Sequence, residues 1–483
     1  MRLTATQRIL GLLLMLFSTT MLPPVLISIA FDDGAAMAFL YGFAANLAAG
    51  LVIWFPVRKE DRDLRLRDGF LVVAAFWVVL GSFGAAPFLF SEQPSMSVTD
   101  AVFEAISGLT TTGATVLSGL DELPPSILYY RQQLQWLGGM GIIVLAVAVL
   151  PMLGVGGMQL YRAETPGPVK DTKLTPRITE TAKALWYIYL GLTVACALAY
   201  WVAGMDIFDA VCHSFSTVAI GGFSTHDASI GYFDSVWVDG VAVIFMFLAG
   251  INFSLHFMTW RSASVQHYLQ EPEFRAYCAV LTGLIVFVLF RLFYQGQYPT
   301  TQDTVINGVF QAVSIATTTG FTTTDFSIWP GALPVVLLFA SFVGGCAGST
   351  AGGMKVIRVL LLYRQGIREV RRLVHPSAEM PVKLGRMAVS QRIIDAVWGF
   401  FAVYVVLFVI MMIVLLATGL DQVTAFAAIA ASMNNLGPGL GDVARGFGDV
   451  NDLAKWVCIL AMLLGRLEIF TLLVLVSRTF WRP

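Results

Sequence analysis

Four short stretches of the chain combine glycine with hydroxyl or amide side chains, and their oxygen-rich composition suits the binding of a cation. We call them loops 1 to 4, and they comprise residues 107–115, 216–224, 314–322 and 431–439. Loop 1 contains Thr-Thr-Thr-Gly-Ala-Thr and loop 3 contains Thr-Thr-Thr-Gly-Phe-Thr, whereas loops 2 and 4 are looser copies. Glycine permits backbone dihedral angles that turn successive carbonyl groups to one side. Four such loops predict rings of carbonyl oxygens that replace the hydration shell of an alkali cation.

The candidate ligands are the carbonyl groups of three residues in each loop, the last of which is an aligned glycine. They are Thr111, Thr112 and Gly113 in loop 1, Ile220, Gly221 and Gly222 in loop 2, Thr318, Thr319 and Gly320 in loop 3, and Asn435, Leu436 and Gly437 in loop 4. Only the last glycine is common to all four sets, so the backbone rather than the side chains should bind the ion. The alternative is that the four stretches are ordinary external turns. Four copies in one register make that interpretation weaker than a cation-binding ring.

Each loop should follow a short helix that enters the membrane only halfway. Thirteen residues before each aligned glycine stands a residue type that commonly caps a helix N-terminus. These predicted caps are Asp100, Asp209, Asn307 and Thr424. Mostly apolar residues separate cap and loop, which predicts re-entrant segments over 100–115, 209–225, 307–323 and 424–439. A helix C-terminus carries roughly half a negative charge, so four such ends aimed at one cavity would favour a cation.

The rest of the chain must hold these segments in a membrane. Of the 483 residues, 57% are hydrophobic and only 13% are charged, whereas about a quarter are charged in soluble proteins. Apolar runs of about 20 residues, the length that crosses a bilayer core, predict ten spans. Their approximate bounds are 9–30, 37–56, 69–90, 127–152, 184–203, 236–259, 275–294, 333–362, 394–418 and 455–477. The first run is too long for a signal peptide, so we expect a retained span.

The predicted fold class is an all-α polytopic membrane protein, with ten transmembrane helices and four re-entrant pore loops in pseudo-fourfold helix–pore–helix repeats. The expected division is an N-terminal helix pair over 1–67 and repeats over 68–178, 179–270, 271–390 and 391–483, the third with a broken second helix. Cytoplasmic termini would place a roughly sixfold excess of Lys and Arg inside, as the positive-inside rule requires. Only Arg131, Arg291, Arg445 and Lys455 would then lie outside, and the loops would enter from outside.

Two features of the apolar segments suggest a gate. The stretch 344–353, within predicted span eight, contains five glycines, which should break the helix just below the loops. These candidate gate residues are Gly344, Gly345, Gly348, Gly352 and Gly353. Small residues for close helix packing are the alternative. Arg466 is the other candidate, because a charge deep within a span is costly and marks function by default. A structural pair with a carboxylate from another span remains possible for it.

The loops and three further motifs resemble the Trk/Ktr/HKT superfamily of potassium transporters over nearly the whole chain. The matching stretches are Thr110–Thr115, Ile220–Asp227, Thr317–Phe321, Asn435–Gly439, Gln135–Gly141, Ala347–Gly353 and Gly465–Ile469. The additional N-terminal pair of spans favours the TrkH branch over the shorter KtrB branch. The resemblance implies a homodimer, a cytoplasmic ring of nucleotide-binding TrkA-like subunits, a gating role for the broken helix, and selectivity for potassium. Relatives with serine at the first aligned glycine often pass sodium, and here all four positions are glycine.

We therefore expect potassium uptake across a bacterial inner membrane through a channel-like filter, gated by the intramembrane loop and the cytoplasmic subunits. A proton- or sodium-coupled secondary transporter is the alternative, but ionisable groups within the spans are few, chiefly Glu104, Arg466 and Glu468. A membrane enzyme would need a convergent catalytic set, which the sequence does not suggest. Five cysteines without paired spacing and scattered histidines predict buried thiols without disulfides or a transition-metal site. The bilayer should be the surrounding partner, and we expect neither an organic cofactor nor a nucleic acid.

Overall fold

The structure is a computed structural model that describes residues 3–59, 66–141, 178–385, 387–467 and 469–481. The second half of predicted span four, together with Glu468, lies outside the described residues. Described α-helices make up most of the chain, and they are numbered below in chain order. Short 3-10 turns link them at Thr19–Met21, Phe55–Val57, Leu120–Glu122, Ser229–Phe233, Phe326–Ile328 and Gly441–Val443.

The first helices are α1 (Leu3–Ser18), α2 (Leu22–Phe31), α3 (Ala36–Trp54), α4 (Leu66–Gly84), α5 (Ala86–Phe90), α6 (Val98–Leu109) and α7 (Pro125–Trp136), which the π-helical turn Leu137–Gly141 continues. Next come α8 (Ile178–Val202), α9 (Ile207–Ala219), α10 (Val236–Ala249), α11 (Phe253–Ser262), α12 (Gln266–Gln270), α13 (Pro272–Gln295), α14 (Thr301–Ala316), α15 (Leu333–Val343) and α16 (Val356–Val374). The last are α17 (Gln391–Ala417), α18 (Gln422–Met433), α19 (Asp452–Arg466), α20 (Phe470–Val476) and α21 (Arg478–Trp481). An antiparallel pair of two-residue strands, β1 (Lys383–Leu384) and β2 (Met387–Ala388), departs slightly from the all-α prediction.

Six segments of the described chain are long and apolar enough to cross a membrane, or seven if one bent pair counts as a single span. They are Leu3–Phe31, Ala36–Val57, Asp68–Phe90, Lys183–Val202, Pro272–Gln295 and Gln391–Ala417, and the bent pair is α10 with α11. The chain is thus a helical, multi-pass membrane protein. The count of ten spans stays a prediction, because several predicted spans are broken or lie partly outside the described residues.

The four short helices α6, α9, α14 and α18 form the interior of the molecule. Residues 101–109 of α6 and 427–433 of α18 are buried without exception. The longer helices surround them and expose apolar side chains outward. In the apolar window of α13, for example, only 22% of the residues are buried within the protein. This arrangement places polar loops inside and hydrocarbon outside, as a bilayer requires.

The caps of the short helices differ from the prediction. The observed N-caps are Ser97, Asp206, Thr300 and Asp421, and each side chain accepts a hydrogen bond from the backbone N–H three residues later. The predicted caps Asp100, Asp209 and Thr424 occupy that third helical position and donate the N–H, whereas Asn307 lies further inside α14. Each helix therefore begins about one turn earlier than predicted, and α14 begins about two turns earlier. The prediction missed these starts because several cap-type residues stand close together there.

Three predicted spans are interrupted. Span eight breaks between α15 and α16, and we call residues 344–355 the glycine-rich loop. Span six, predicted as one helix, bends by 93° between α10 and α11. At this bend, two backbone hydrogen bonds join span six to the glycine-rich loop. Cys346 N–H donates to the Gly250 carbonyl at 2.9 Å, and Phe253 N–H donates to the Gly348 carbonyl at 3.0 Å. Span ten breaks directly after Arg466, which ends α19.

The N-terminal helices pack on the first repeat. Helix α1 lies against α3, α4 and the 3-10 turn that follows α3, while α2 contacts α7. The approach of α1 to α3 is close, since a β-carbon on Gly11 would lie 2.8 Å from the Gly50 carbonyl oxygen. Small residues commonly permit such backbone approach between membrane helices. The N-terminal pair therefore braces α4 and α7, which pack against the helix α6 that precedes loop 1.

Candidate functional site

Loops 1 to 4 share one backbone conformation despite their different sequences. Thr111, Ile220, Thr318 and Asn435 have positive φ angles of 55°, 55°, 66° and 53°. Two residues later, Gly113, Gly222, Gly320 and Gly437 have φ angles of 78°, 78°, 84° and 95°. The residue between them donates its N–H at 2.8 Å to the carbonyl five residues earlier in every loop. The four loops are therefore structural repeats, as their alignment predicted.

The first of these positive angles is unexpected. Threonine and isoleucine are β-branched, and such side chains rarely tolerate a positive φ. Backbone strain of this kind costs on the order of 1–3 kcal/mol per residue and persists only where the surroundings enforce it. Strained conformations of this type cluster at functional sites. Its repetition at Thr111, Ile220 and Thr318 makes the loops the strongest candidate site in the described chain.

The four loops also form a closed ring. A β-carbon on Gly113 would lie less than 3.0 Å from the carbonyl oxygen of Gly221 in loop 2. The same relation holds from loop 2 to loop 3, from loop 3 to loop 4 and from loop 4 back to loop 1. Those pairs are Gly222 with Thr319, Gly320 with Leu436, and Gly437 with Thr112. Each aligned glycine is thus required twice, by its positive φ and by the neighbouring carbonyl. The ring can offer a cation backbone oxygens from all four quarters.

Side chains behind loops 1, 3 and 4 support this backbone. Hydroxyl groups of Thr110 and Thr112 lie 2.8 Å apart, and Thr317 and Thr319 repeat that pair in loop 3. In loop 4 the Asn435 amide donates to the Thr112 hydroxyl at 3.0 Å, so it joins the last loop to the first. These residues are almost completely buried.

A buried ion pair lies between loops 1 and 2. The Arg131 Nε donates to Glu104 Oε1 at 2.8 Å, and both side chains are nearly inaccessible. Glu104 also accepts hydrogen bonds from Thr115 and from the Val116 backbone, as expected for a carboxylate bonded behind the loop. Arg131, which the topology prediction places on the outer side, is buried in α7 and donates to the Ser224 carbonyl. Such a pair rigidifies its surroundings because breaking it would leave a buried charge alone.

A second, partly buried ion pair joins α19 to α6. The Lys455 ammonium donates at 2.7 Å to Asp100, the residue near the start of α6. Only 5% of the lysine side chain is exposed, so Lys455 is buried against α6. The pair ties α19 to α6 on the side of the ring where the chain closes on itself.

The glycine-rich loop contacts three of the four quarters directly. Gly352 N–H donates to the Thr318 hydroxyl at 2.7 Å, and Gly353 N–H donates to the Asn434 carbonyl at 3.0 Å. The Thr350 hydroxyl donates at 2.9 Å to the carbonyl of Val218, near the end of α9. Gly344, Gly348 and Gly353 have positive φ angles, and a β-carbon on Gly345 or Gly352 would collide with neighbouring atoms. The glycines are therefore needed for the path of this loop, beyond any need for close helix packing.

Arg466 connects the remaining quarter to the glycine-rich loop. Its guanidinium donates to the Thr111 hydroxyl at 3.1 Å and to the Thr350 carbonyl at 3.2 Å. It also donates to the carbonyls of Gly138 and Gly139, the latter at 2.8 Å. The guanidinium thus reaches loop 1, the glycine-rich loop and the π-helical turn after α7 at once. Five donors in a planar fork make arginine suited to such a junction.

One carboxylate holds the other side of the glycine-rich loop. Glu273, on the first turn of α13, is 6% exposed. Its Oε1 accepts the backbone N–H of Ala347 at 2.7 Å and that of Ile357 at 3.1 Å. The first lies in the glycine-rich loop and the second begins α16. Sequence inspection missed Glu273, because its partners are more than seventy residues away.

A polar cluster lies beyond loop 2. The His226 ring bonds to the Asp121 carboxylate and, at 3.1 Å, to Asp209, and it stacks on Tyr232 with 3.5 Å between ring centroids. Burial opposes protonation of His226, but the hydrogen bonds to the two carboxylates outweigh it and raise its pKa. Asp227 accepts the Leu120 N–H at 2.9 Å. This cluster ties the segments after loops 1 and 2 together.

The cysteines and histidines do not converge within the described residues. All five cysteines are free, and four are buried while Cys278 is partly exposed, which corrects the expectation that all would be buried. In the part of the chain that the structure describes, no three His, Cys, Asp or Glu residues are grouped to hold a metal ion.

The fold and the ring define a multi-pass helical membrane protein with a single-chain, four-part ring of backbone carbonyls, which is its candidate site for a cation. Comparison with known proteins gives its family. The model of the TrkH family, described as cation transport proteins, matches residues 35–482. The chain therefore belongs to the TrkH family.

Relatives match along the whole chain. A protein named Trk system potassium uptake protein TrkH, from Vibrio parahaemolyticus, is 60% identical over 98% of both chains. One of the same name from Escherichia coli strain K12 is 57% identical over the full length of both. The crystal structure of the potassium transporter TrkH from Vibrio parahaemolyticus superimposes with a TM-score of 0.91, at 56% identity and complete coverage. These relatives are named for transport rather than catalysis, which confirms that the chain is not an enzyme.

Proposed function

We propose that this protein takes up potassium across a bacterial inner membrane through the ring of loops 1 to 4. The observation that carries the proposal is the closed head-to-tail ring, in which every aligned glycine lies against the next loop's carbonyl. Carbonyl groups held in this way can replace the water shell of an alkali cation. The names of the full-length relatives, which specify potassium uptake, favour potassium as the ion.

The carbonyls of the twelve aligned residues are the proposed ion ligands. They are Thr111, Thr112 and Gly113, Ile220, Gly221 and Gly222, Thr318, Thr319 and Gly320, and Asn435, Leu436 and Gly437. The short helices end at these loops, so their negative dipole ends add a favourable potential for a cation. No side chain is common to the four quarters, which supports ligation by the backbone.

The glycine-rich loop and Arg466 are the proposed gate. Together they contact all four loops, and the guanidinium adds a positive charge on the ion's path. A cation that leaves the ring would have to displace them. Gly344, Gly345, Gly348, Gly352 and Gly353 would let the loop move, since they impose few steric limits on the backbone.

The wider arrangement also belongs to the proposal. The excess of basic residues on one side supports cytoplasmic termini, with loops 1 to 4 entering from outside. We propose the fourfold division at 68–178, 179–270, 271–390 and 391–483 after the helix pair 1–67. A homodimer and a cytoplasmic ring of TrkA-like nucleotide-binding subunits would complete the assembly. The relatives' names describe them as parts of a Trk system, which supports partner subunits.

Ion flux into liposomes tests the proposal. Purified protein would be reconstituted, and uptake of rubidium and sodium would be measured with and without a pH gradient. We expect rubidium uptake down its own gradient and much slower sodium uptake. Flux that requires a pH or sodium gradient would favour a coupled secondary transporter, and equal rubidium and sodium rates would contradict the proposed selectivity.

A further inference from the structure

Loop 2 lacks the side chains that support loops 1 and 3. Where those loops have threonines whose hydroxyls pair behind the backbone, loop 2 has Ala219 and Gly221. Neither residue has a polar side chain, yet the loop 2 backbone has the same positive φ angles as the others. Something outside loop 2 must therefore stabilise the conformation that the other loops stabilise from within.

Helix α7 supplies polar side chains along loop 2. The Gln135 amide donates to the Gly221 carbonyl at 2.6 Å and accepts the Phe223 N–H at 3.1 Å. Gln132 donates to the Phe223 carbonyl at 3.2 Å. The amide of Gln135 thus spans the aligned Gly222 and fixes the peptide groups on both sides of it. Gln135 is completely buried, so these bonds face no competition from water.

Gln135 also occupies the space of the missing side chain. A β-carbon on Gly221 would lie less than 3.0 Å from the side-chain amide of Gln135. Gly221 does not have a positive φ, so its backbone would accept a side chain if that space were free. The equivalent positions in loops 1 and 3 hold Thr112 and Thr319. The absence of a side chain on Gly221 and the presence of Gln135 are therefore two parts of one arrangement.

We propose that Gln135 is a positioning residue for ion selectivity, which replaces from α7 the support that loops 1 and 3 carry themselves. It acts on the ion through the Gly221 carbonyl, whose direction its hydrogen bond fixes. The proposal rests on loops 1 to 4 being the ion filter. Without the amide, the Gly221 carbonyl can rotate, and the quarter contributed by loop 2 becomes less well defined.

The test compares three variants of the full-length protein in liposomes. Gln135→Ala removes the support, and Gln135→Ala with Gly221→Thr supplies one of the two threonines that loops 1 and 3 use. Gln133→Ala is the matched control, because Gln133 is a buried amide of the same helix that donates instead to the Thr20 carbonyl at 2.7 Å. We expect the rubidium-to-sodium uptake ratio to fall by about threefold to tenfold in Gln135→Ala, the effect of one hydrogen bond. The control should keep the ratio, and the double variant should recover part of it.

Each outcome bears on one proposal. An unchanged ratio in Gln135→Ala, an equal fall in Gln133→Ala, or a double variant no better than the single one would overturn the role of Gln135. A wild-type protein that does not distinguish rubidium from sodium would instead overturn the proposed filter. If Gln135→Ala does not reach the membrane, Gln135→Asn keeps the amide but withdraws it by one methylene. A full wild-type ratio in that variant would likewise count against the inference.

Discussion

Removing the guanidinium of Arg466 should open the proposed gate. The side chain donates to the Thr350 carbonyl of the glycine-rich loop at 3.2 Å and to the Thr111 hydroxyl of loop 1 at 3.1 Å. It therefore bridges the loop that would move and the ring that would stay. Arg466→Ala removes both bonds together with the positive charge, so each loss favours passage of a cation.

The size of the effect follows from the bond to Thr350. A hydrogen bond to a charged group contributes about 1.5–3 kcal/mol. If only this bond favours the closed state, its loss shifts the ratio of open to closed protein by about 10-fold to 150-fold. If the wild-type protein is open about 1% of the time, the variant would be open about 10–60% of the time. Arg466→Lys should fall between, because an ammonium keeps the charge but cannot reproduce the planar fork.

The assay is rubidium uptake into liposomes without regulatory subunits, normalised to the amount of folded protein. Arg291→Ala serves as the control, since it removes an arginine from α13. We expect basal uptake to rise at least about tenfold in Arg466→Ala and less in Arg466→Lys. Unchanged or lower uptake in Arg466→Ala at equal protein would refute the reasoning. An equal rise in Arg291→Ala would show that loss of any arginine loosens the protein.

Three further changes have defined outcomes. Gly113→Ser should lower the rubidium-to-sodium ratio by about tenfold, because it strains a positive φ and meets the adjacent carbonyl. Gly119→Ser, at a positive φ in open space, should keep the ratio, and equal losses would contradict the ring. Glu273→Ala should raise basal rubidium uptake by about tenfold, because two backbone bonds that hold the glycine-rich loop are lost. Glu271→Ala, which removes an exposed carboxylate two residues away, should not raise basal rubidium uptake. Because the pKa of His226 is raised in the folded protein, its contribution to stability is complete below pH 6.5 and is lost as the pH rises through the folded-state pKa. The melting temperature should therefore decrease over that range in the wild type and less in His226→Gln, and parallel curves would exclude this contribution.

The repeated features of the site were predictable from the sequence. The aligned glycines mark the four loops because only glycine combines a positive φ with space for a neighbouring carbonyl. Five glycines within 344–353 likewise indicated a break, and the structure has one there. Both signals are local, since they depend on what a short stretch of backbone can do without reference to the rest of the chain.

The supporting contacts were not predictable, because they join distant parts of the chain. Gln135 lies 86 residues from Gly221, and Arg131 pairs with the buried Glu104, which is 27 residues away. The positive φ of Ile220 contradicts its residue type and arises only from the assembled ring. The caps were misplaced by a turn or more because several cap-type residues precede each helix, and only the observed hydrogen bonds distinguish them.

All four loops of the head-to-tail ring belong to one chain, so a mutation can change one loop without changing the others. In a pore of four identical subunits, one codon change alters all four quarters at once. Here a change at Gly113 alters the two junctions that loop 1 makes, while the junctions from loop 2 to loop 3 and from loop 3 to loop 4 keep both partners. Each quarter can therefore accumulate changes in steps small enough to survive. Loop 4, with Asn435 and Leu436 in place of two threonines, has the kind of divergence that this freedom permits.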